Sequence, residues 1–206
     1  MSSSSSASPS ARATTDLTTD RLVLRVWTPA AVAAVHGEER LPGWADDFPA
    51  EGDRVVAGFL TGHPEALAGG GHRLIAERAG GAVVGSIGFF DGPEPGTLEV
   101  GYGVVASRRG LGYATEAARA VVADALCAPG VHGVYAHADL VNPASLRVLE
   151  KAGLTRLSDD GTTARFGVTA GAPPADRPGG GLRCGGRDGR AGSPSSAARR
   201  GDGACR

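Results

Sequence analysis

The sequence predicts an α/β domain with a mixed, mostly antiparallel sheet flanked by helices, and three observations predict it. Strand-like alternation and helical periodicity follow one another in the order βααβββαβαββ. Three of those strands stand in succession with only tight turns between them, which makes them antiparallel neighbours. The last of the three runs into a Gly-rich turn and a helix, LEVGYGVVASRRGLGYATE over residues 98–116. That helix carries the chain back to the sheet for a further strand.

Leu17 to Val26 alternates after Asp20, with Leu22, Leu24 and Val26 on one side, and reads as the first strand. Thr28-Pro29 pairs an N-cap with proline at the first helical position, so a short helix follows over Ala30 to His36. Residues 37–52, GEERLPGWADDFPAEG, fit neither period and form a loop. Two readings stand side by side: Trp44 and Phe48 pin this loop to the body while its acids are solvated, or Trp44, Asp46, Asp47 and Phe48 wall a pocket for a cationic amine. A second helix, Asp53 to Leu67, is interrupted around Gly62-His63-Pro64.

His72 to Arg78 and Ala82 to Phe90 are strands joined at Gly80-Gly81, a hairpin signal, and the turn DGPEPG leads into the strand Leu98 to Val105. The helix after Gly112 lines up Ala114, Ala118, Val121, Val122 and Ala125 and ends near Cys127, before Pro129-Gly130. Gly133 to Asp139 is a strand, and Asn142-Pro143 repeats the cap-and-proline pattern. The helix to Ala152 sets Ser145, Val148 and Leu149 on one face, and Gly153 ends it. Leu154 to Leu157 and Ala164 to Val168 form the last hairpin, and His72 and His132 are expected at the surface or at strand edges.

The turn from Arg108 to Gly112 can hold a phosphate. The first amides of the following helix have no partner within it, the helix dipole favours an anion there, and small residues let a ligand approach the backbone. Gly110, Gly112 and Ala114 meet that need. A GxGxxG pattern is not completed, and no Gly-Lys-Ser/Thr occurs. Ser145, a hydroxyl on an apolar helix face, is either bonded back to its own helix or aimed at a ligand.

The 206 residues suit one domain, and the 33 Gly, 13 Pro and Ser runs concentrate at the ends. Residues 1–15 read as a disordered leader without the basic start and apolar centre of a signal peptide. Residues 171–206 have Leu182 as their one large aliphatic side chain and read as a disordered Gly/Arg/Pro-rich tail. The domain is expected over residues 16–170, where thirteen basic residues face nineteen acidic ones. The tail's arginines are scattered without aromatic interleaving, and no run approaches the roughly 18–20 apolar residues of a spanning helix. No nucleic acid and no membrane is therefore expected as a partner, and the cytoplasm is the expected location. Cys127, Cys184 and Cys205 make no metal-ligand spacing, so no metal is expected.

The element order, the turn RRGLGYA and the later NPASLRVLEKAGL together resemble the GNAT superfamily of acyl-CoA-dependent N-acyltransferases over residues 17–169. Within it, TDRLVLRVWTP and EVGYGV look most like the branch of ribosomal-protein N-terminal (alanine/serine) acetyltransferases. The superfamily's loop, Arg or Gln followed by x-x-G-x-G/A, matches Arg109, Gly112 and Ala114. The resemblance implies acetyl-CoA as cosubstrate, its pyrophosphate held by the backbone of Arg109, Gly110, Leu111, Gly112, Tyr113 and Ala114. It also implies that Val104 and Val105 pair with the pantetheine arm. Asn142 is a cofactor contact by family position and a helix cap by elementary physics, and Ser145 lies beside the cofactor.

The reaction the resemblance implies is direct attack of a primary amine on the acetyl thioester. Glu99 is the candidate base by family position, acting directly or through water; read from the strand alone, it is equally a strand-end carboxylate in solvent. Many relatives carry a tyrosine acid in the last helix; Leu149 stands in that place here, and Ser145 on the same face is the substitute. His137 and Asp139, on the strand facing the cleft, are weaker choices for the base, and His137 is also expected to meet the acceptor. That acceptor is a peptide N-terminus or a small-molecule amine, the protein a monomer or homodimer. The alternative is a catalytically weak acyl-CoA-sensing module with the same fold.

Overall fold

Residues 15–37 and 39–171 are described by the computed structural model. The expectations for residues 1–14, 38 and 172–206, with Cys184 and Cys205 among them, lie outside the described residues. The elements are β1 (Leu17–Thr18), β2 (Leu22–Val26), α1 (Pro29–His36), α2 (Glu51–Gly62), α3 (Pro64–Ala68), β3 (His72–Glu77), β4 (Val83–Asp91), β5 (Thr97–Val104), α4 (Tyr113–Cys127), β6 (Gly133–Asp139), α5 (Pro143–Ala152), β7 (Thr155–Asp159) and β8 (Thr163–Thr169). A short 3-10 turn, Ala106–Arg108, stands between β5 and α4.

The strands form one sheet in the order β1-β2-β3-β4-β5-β6-β8-β7. Every neighbouring pair is antiparallel except β5 and β6, which α4 connects as a parallel crossover. This one parallel pairing is short. It joins Thr97, Leu98 and Glu99 to Gly133, Val134 and Tyr135, after which β5 stays with β4 as far as Val104 and β6 stays with β8 as far as Asp139. The sheet therefore splits beyond Glu99.

Cross-strand register tells the two sides of the sheet apart. Ser86 lies opposite Gly103 and Phe90 opposite Glu99, and the Ser86 hydroxyl donates to Asp53 of α2, so these residues share the side covered by α2. Leu98, Val100 and Tyr102 point the other way, toward α4 and α5. The core lies on both sides, with Leu22, Leu24, Phe48, Ile75, Ile87, Val121 and Phe166 buried.

Three sequence expectations change. The first strand breaks at Thr19 to Arg21, where the Thr19 amide donates to the Leu22 carbonyl at 2.9 Å and β1 folds back onto β2. The second helix starts two residues earlier, at Glu51, because the Asp53 carboxylate accepts from the Ala50 amide at 2.9 Å and closes its first turn. His72 is buried, its ring 5.2 Å from Phe59 and 5.1 Å from Phe90, and only a glycine at 88 leaves room for it.

The last hairpin depends on Asp160. Its Oδ1 accepts from the Thr162 hydroxyl at 2.7 Å and from the amides of Thr162 and Thr163 at 2.9 and 2.7 Å. These bonds, the Thr162 hydroxyl first, hold its pKa down to about 2. A depressed carboxyl contributes stability above its unfolded value of 3.8 that is lost as pH falls through about 2. Hydrogen exchange at Thr162 and Thr163 is therefore expected to accelerate as pH falls across that window, relative to the intrinsic rate. Asp160→Ala should exchange fast throughout; protection equal to the parent's would count against this role.

Candidate active site

The turn between β5 and α4 is built as an anion cradle. Gly110 and Gly112 have φ of 76° and 81°, the left-handed region that glycine enters without strain. The first backbone bond of α4 runs from the Glu116 amide to the Gly112 carbonyl, 3.1 Å. Among the described residues, the amides of Gly110 to Thr115 find no acceptor. Arg21 braces the cradle, donating to the Leu111 carbonyl at 2.8 Å and pairing with Glu116 at 2.7 Å. Burial pushes the Glu116 carboxyl up, but bonds from the Thr19 hydroxyl and from the backbone and side chain of Arg21 outweigh it and hold the group below its usual range. Glu77 accepts from Arg108 at 2.9 Å and from the Tyr113 hydroxyl at 3.1 Å, tying turn and helix to β3.

The split leaves a second set of backbone groups open. The Thr97 carbonyl accepts from Gly92 and the Val105 amide donates to Val84, so odd-numbered residues of this strand direct their backbone to β4. By alternation the amides of Tyr102 and Val104 face the split, where β6 has already left. They are free to bond an extended amide-bearing chain. The Val104 carbonyl accepts from Arg109 Nε at 3.1 Å. Val105 is buried and its amide is used, so of the two valines Val104 is the one that faces the split.

Two side-chain pairs bridge the split, one on each side of the sheet. On the α2 side, Glu99 Oε1 of β5 and His137 Nδ1 of β6 are 3.0 Å apart, both accessible to solvent. On the α5 side, the Tyr102 hydroxyl lies 2.8 Å from Ser145 Oγ and donates to the Ser145 carbonyl at 3.2 Å. Burial raises the Tyr102 pKa above its ordinary value, with the Ser145 bond pulling weakly the other way, so the phenol keeps its proton at neutral pH. Ser145 thus bonds across the split rather than back to its own helix. Asn142 caps α5, its Oδ1 accepting from the Ser145 amide at 3.1 Å. Leu149 is fully buried in the core.

Next to Glu99 the floor is glycine. A Cβ at Gly103 would meet nothing within 4 Å, and one at Gly101 only Phe90 Cε2 at 3.5 Å. Phe90 and Phe59 form a wall with ring centroids 5.2 Å apart, and His63 stacks on Phe59 at 4.5 Å. The loop before α2 closes the far end. Phe48 is fully buried against Trp44, their rings edge-on at 4.9 Å, so it anchors the loop. The Asp47 carboxylate accepts from the Ser107 amide at 2.9 Å and hydroxyl at 2.7 Å, the amide bond foremost in lowering its pKa. Trp44 is half-buried and Asp46 exposed. Tyr102, Arg21 and Asp53 escaped sequence reasoning; the alternation of EVGYGV, which puts Tyr102 opposite in face to Glu99, was the available signal for the first.

A helix start with unpaired amides, beside a sheet split between two parallel strands with proton-carrying groups on both sides, suits a protein that holds a phosphate-bearing carrier and works on the arm extending from it. The family model of the acetyltransferase (GNAT) domain matches residues 21–155, and the chain belongs to that family. It is an acetyl-CoA-dependent acyltransferase. Its structure is similar to a GNAT-family acetyltransferase from Bacillus anthracis, 20% identical, with a TM-score of 0.57 over 75% of this chain and 98% of that one. A putative ribosomal-protein-serine acetyltransferase from Vibrio cholerae, 17% identical, gives 0.53 over 75% and 97%. A spermidine N-acetyltransferase from Vibrio cholerae in complex with CoA and spermine, 13% identical, gives 0.53 over 74% and 97%. At these identities the likeness is one of fold. No curated protein sequence matches the chain. Among the described residues no helix is long and apolar enough to cross a membrane.

Proposed function

We propose that the chain acetylates a primary amine at the split of the sheet, by direct attack on the thioester of acetyl-CoA. The observation that carries this reading is the pair of bridges across the split, Glu99–His137 on one side of the sheet and Tyr102–Ser145 three residues further along β5 on the other. Acetyl-CoA supplies an acyl group on a good leaving thiol. The amides of Gly110 to Thr115 hold its pyrophosphate, and the Tyr102 and Val104 backbone groups hold the pantetheine amides. Asn142, besides capping α5, contacts the arm.

Glu99 takes the proton of the incoming ammonium, directly or through one water, so that nitrogen can bond to the acyl carbon as the carbon–sulfur bond breaks. The Ser145–Tyr102 hydroxyl pair gives a proton to the departing sulfur, and the second proton shed by the acylated nitrogen restores the pair through solvent. A CoA thiol is acidic enough that water can serve in its place, so Ser145→Ala is expected to cost less than a change at Glu99. His137, Trp44 and Asp46 contact the acceptor; Asp47 and Phe48 act on it only by holding their loop. A cytoplasmic setting fits an enzyme that consumes acetyl-CoA.

Thiol release from acetyl-CoA, followed against a panel of peptide N-termini, amino acids, polyamines and aminoglycosides, tests the reading. At least one amine should accelerate release with acetyl appearing on its nitrogen. Tight acetyl-CoA binding with no accelerating amine would instead favour the sensing module.

A further inference from the structure

The side of the sheet that carries Glu99 and His137 also holds a cation that, among the described residues, pairs with no anion. His137 of β6 lies opposite Arg165 of β8, and Tyr135 lies opposite Gly167, so these residues and Glu99 form one patch across three adjacent strands. Gly167 is required there. A Cβ on it would stand 2.9 Å from Tyr135 Cδ1 and 2.7 Å from Leu157 Cδ1, so the tyrosine ring lies down across β8. The Arg165 guanidinium rests on that ring, its central carbon 4.3 Å from the centroid.

Among the described residues the Arg165 side chain makes no ion pair and no hydrogen bond, and its Nε is buried without a partner. The other acids on this side are engaged, Glu99 with His137 at 3.0 Å and Asp139 with the Thr163 hydroxyl at 3.4 Å. Helix α2 packs over β4 and β5, while the helices that reach β6 lie on the opposite side, so the patch is open. A guanidinium already fixed on an aromatic ring loses little freedom on binding, and its planar fork matches a carboxylate.

We propose that Arg165 is a specificity residue that selects acceptor amines bearing their own carboxylate, namely peptide N-termini with Asp or Glu at the second or third position. This rests on Glu99 marking where the amine reacts. β5 and β8 are two strand spacings apart and Arg165 lies two residues along from the level of Glu99, so the two positions are roughly 12 Å apart. An extended peptide advances about 3.3–3.6 Å per residue, so with its amine at Glu99 an acidic side chain two residues on reaches Arg165. A polyamine would instead bring a second ammonium against the guanidinium.

The test compares kcat/KM for a peptide with Glu at positions two and three, the same peptide with Gln there, the same with Lys, and spermidine, in the parent, Arg165→Gln and Arg165→Lys. The parent should favour the Glu over the Gln peptide by about tenfold to a hundredfold, through KM more than kcat. The ratio should fall close to one in Arg165→Gln and stay intermediate in Arg165→Lys. A ratio unchanged in Arg165→Gln, or a parent that prefers the Lys peptide or spermidine, would overturn the proposal. Calorimetric binding of the same peptides in the presence of CoA separates this claim from acetyl transfer. Selective, Arg165-dependent binding without turnover would sink the transfer reading alone, and binding indifferent to peptide charge would sink the role of Arg165.

Discussion

Glu99→Gln is expected to lower kcat for amine acetylation by about 10²–10⁴-fold, the range of a lost general base, with acetyl-CoA affinity unchanged. Glutamine keeps the size and a hydrogen-bonding contact with His137 but cannot take a proton. The loss should shrink as pH rises toward the pKa of the amine, because a free-base amine needs no base. His137→Asn, which removes the partner and leaves the carboxylate, should have a smaller effect and act partly through the acceptor KM. Steady-state thiol release across pH with both variants decides it. A Glu99→Gln enzyme with the parent's kcat at neutral pH would remove Glu99 from the chemistry while leaving the cofactor site intact.

The second large effect is at the cradle. Gly112→Val places a β-branched residue at a φ of 81°, which costs about 1–2 kcal/mol of backbone energy. A Cβ there would already stand 3.4 Å from Arg21 Nη2, so valine also presses on the side chain that braces Leu111 and Glu116. The acetyl-CoA Kd is expected to rise by about tenfold to a hundredfold as backbone amides lose their alignment on the pyrophosphate. Velocity at saturating acetyl-CoA should be largely kept, since the residues at the split are untouched. Calorimetric titration with CoA checks this; unchanged affinity would mean that the pyrophosphate lies elsewhere.

Much of this architecture could be read in the chain. The turn RRGLGYA announced its left-handed glycines and its following helix, and Asn142-Pro143 announced a capped helix, because both are local features in which a few consecutive residues decide the backbone. The three central strands were equally legible from their turns. What escaped was decided at a distance. Thr19 and Arg21 leave the strand because Glu116, far along the chain, accepts from the Thr19 hydroxyl at 2.6 Å and the Arg21 amide at 2.8 Å. His72 looked like an edge residue, yet Gly88 on the neighbouring strand makes a slot for it.

The candidate site divides along the same line. Glu99 and His137 were each named from their strands, but their pairing across β5 and β6 needed the short parallel register. Ser145 demanded a partner, and that partner, Tyr102, comes from a strand on the other wall of the split. For Asp47 and Phe48 the loop's composition leaves pocket wall and anchor both open, because it does not reveal that Ser107 donates to one and that the core takes in the other. Nothing in the last hairpin's sequence singles out Arg165, since what sets it apart is the ring of Tyr135 lying over Gly167.

We propose that the cradle and the split together hold CoA. Backbone amide shifts of the isotope-labelled protein titrated with CoA test it most directly. The largest changes are expected at Gly110 to Thr115 and at Tyr102 and Val104, saturating together. Saturable changes confined to other parts of the sheet, with those amides unmoved, would contradict it.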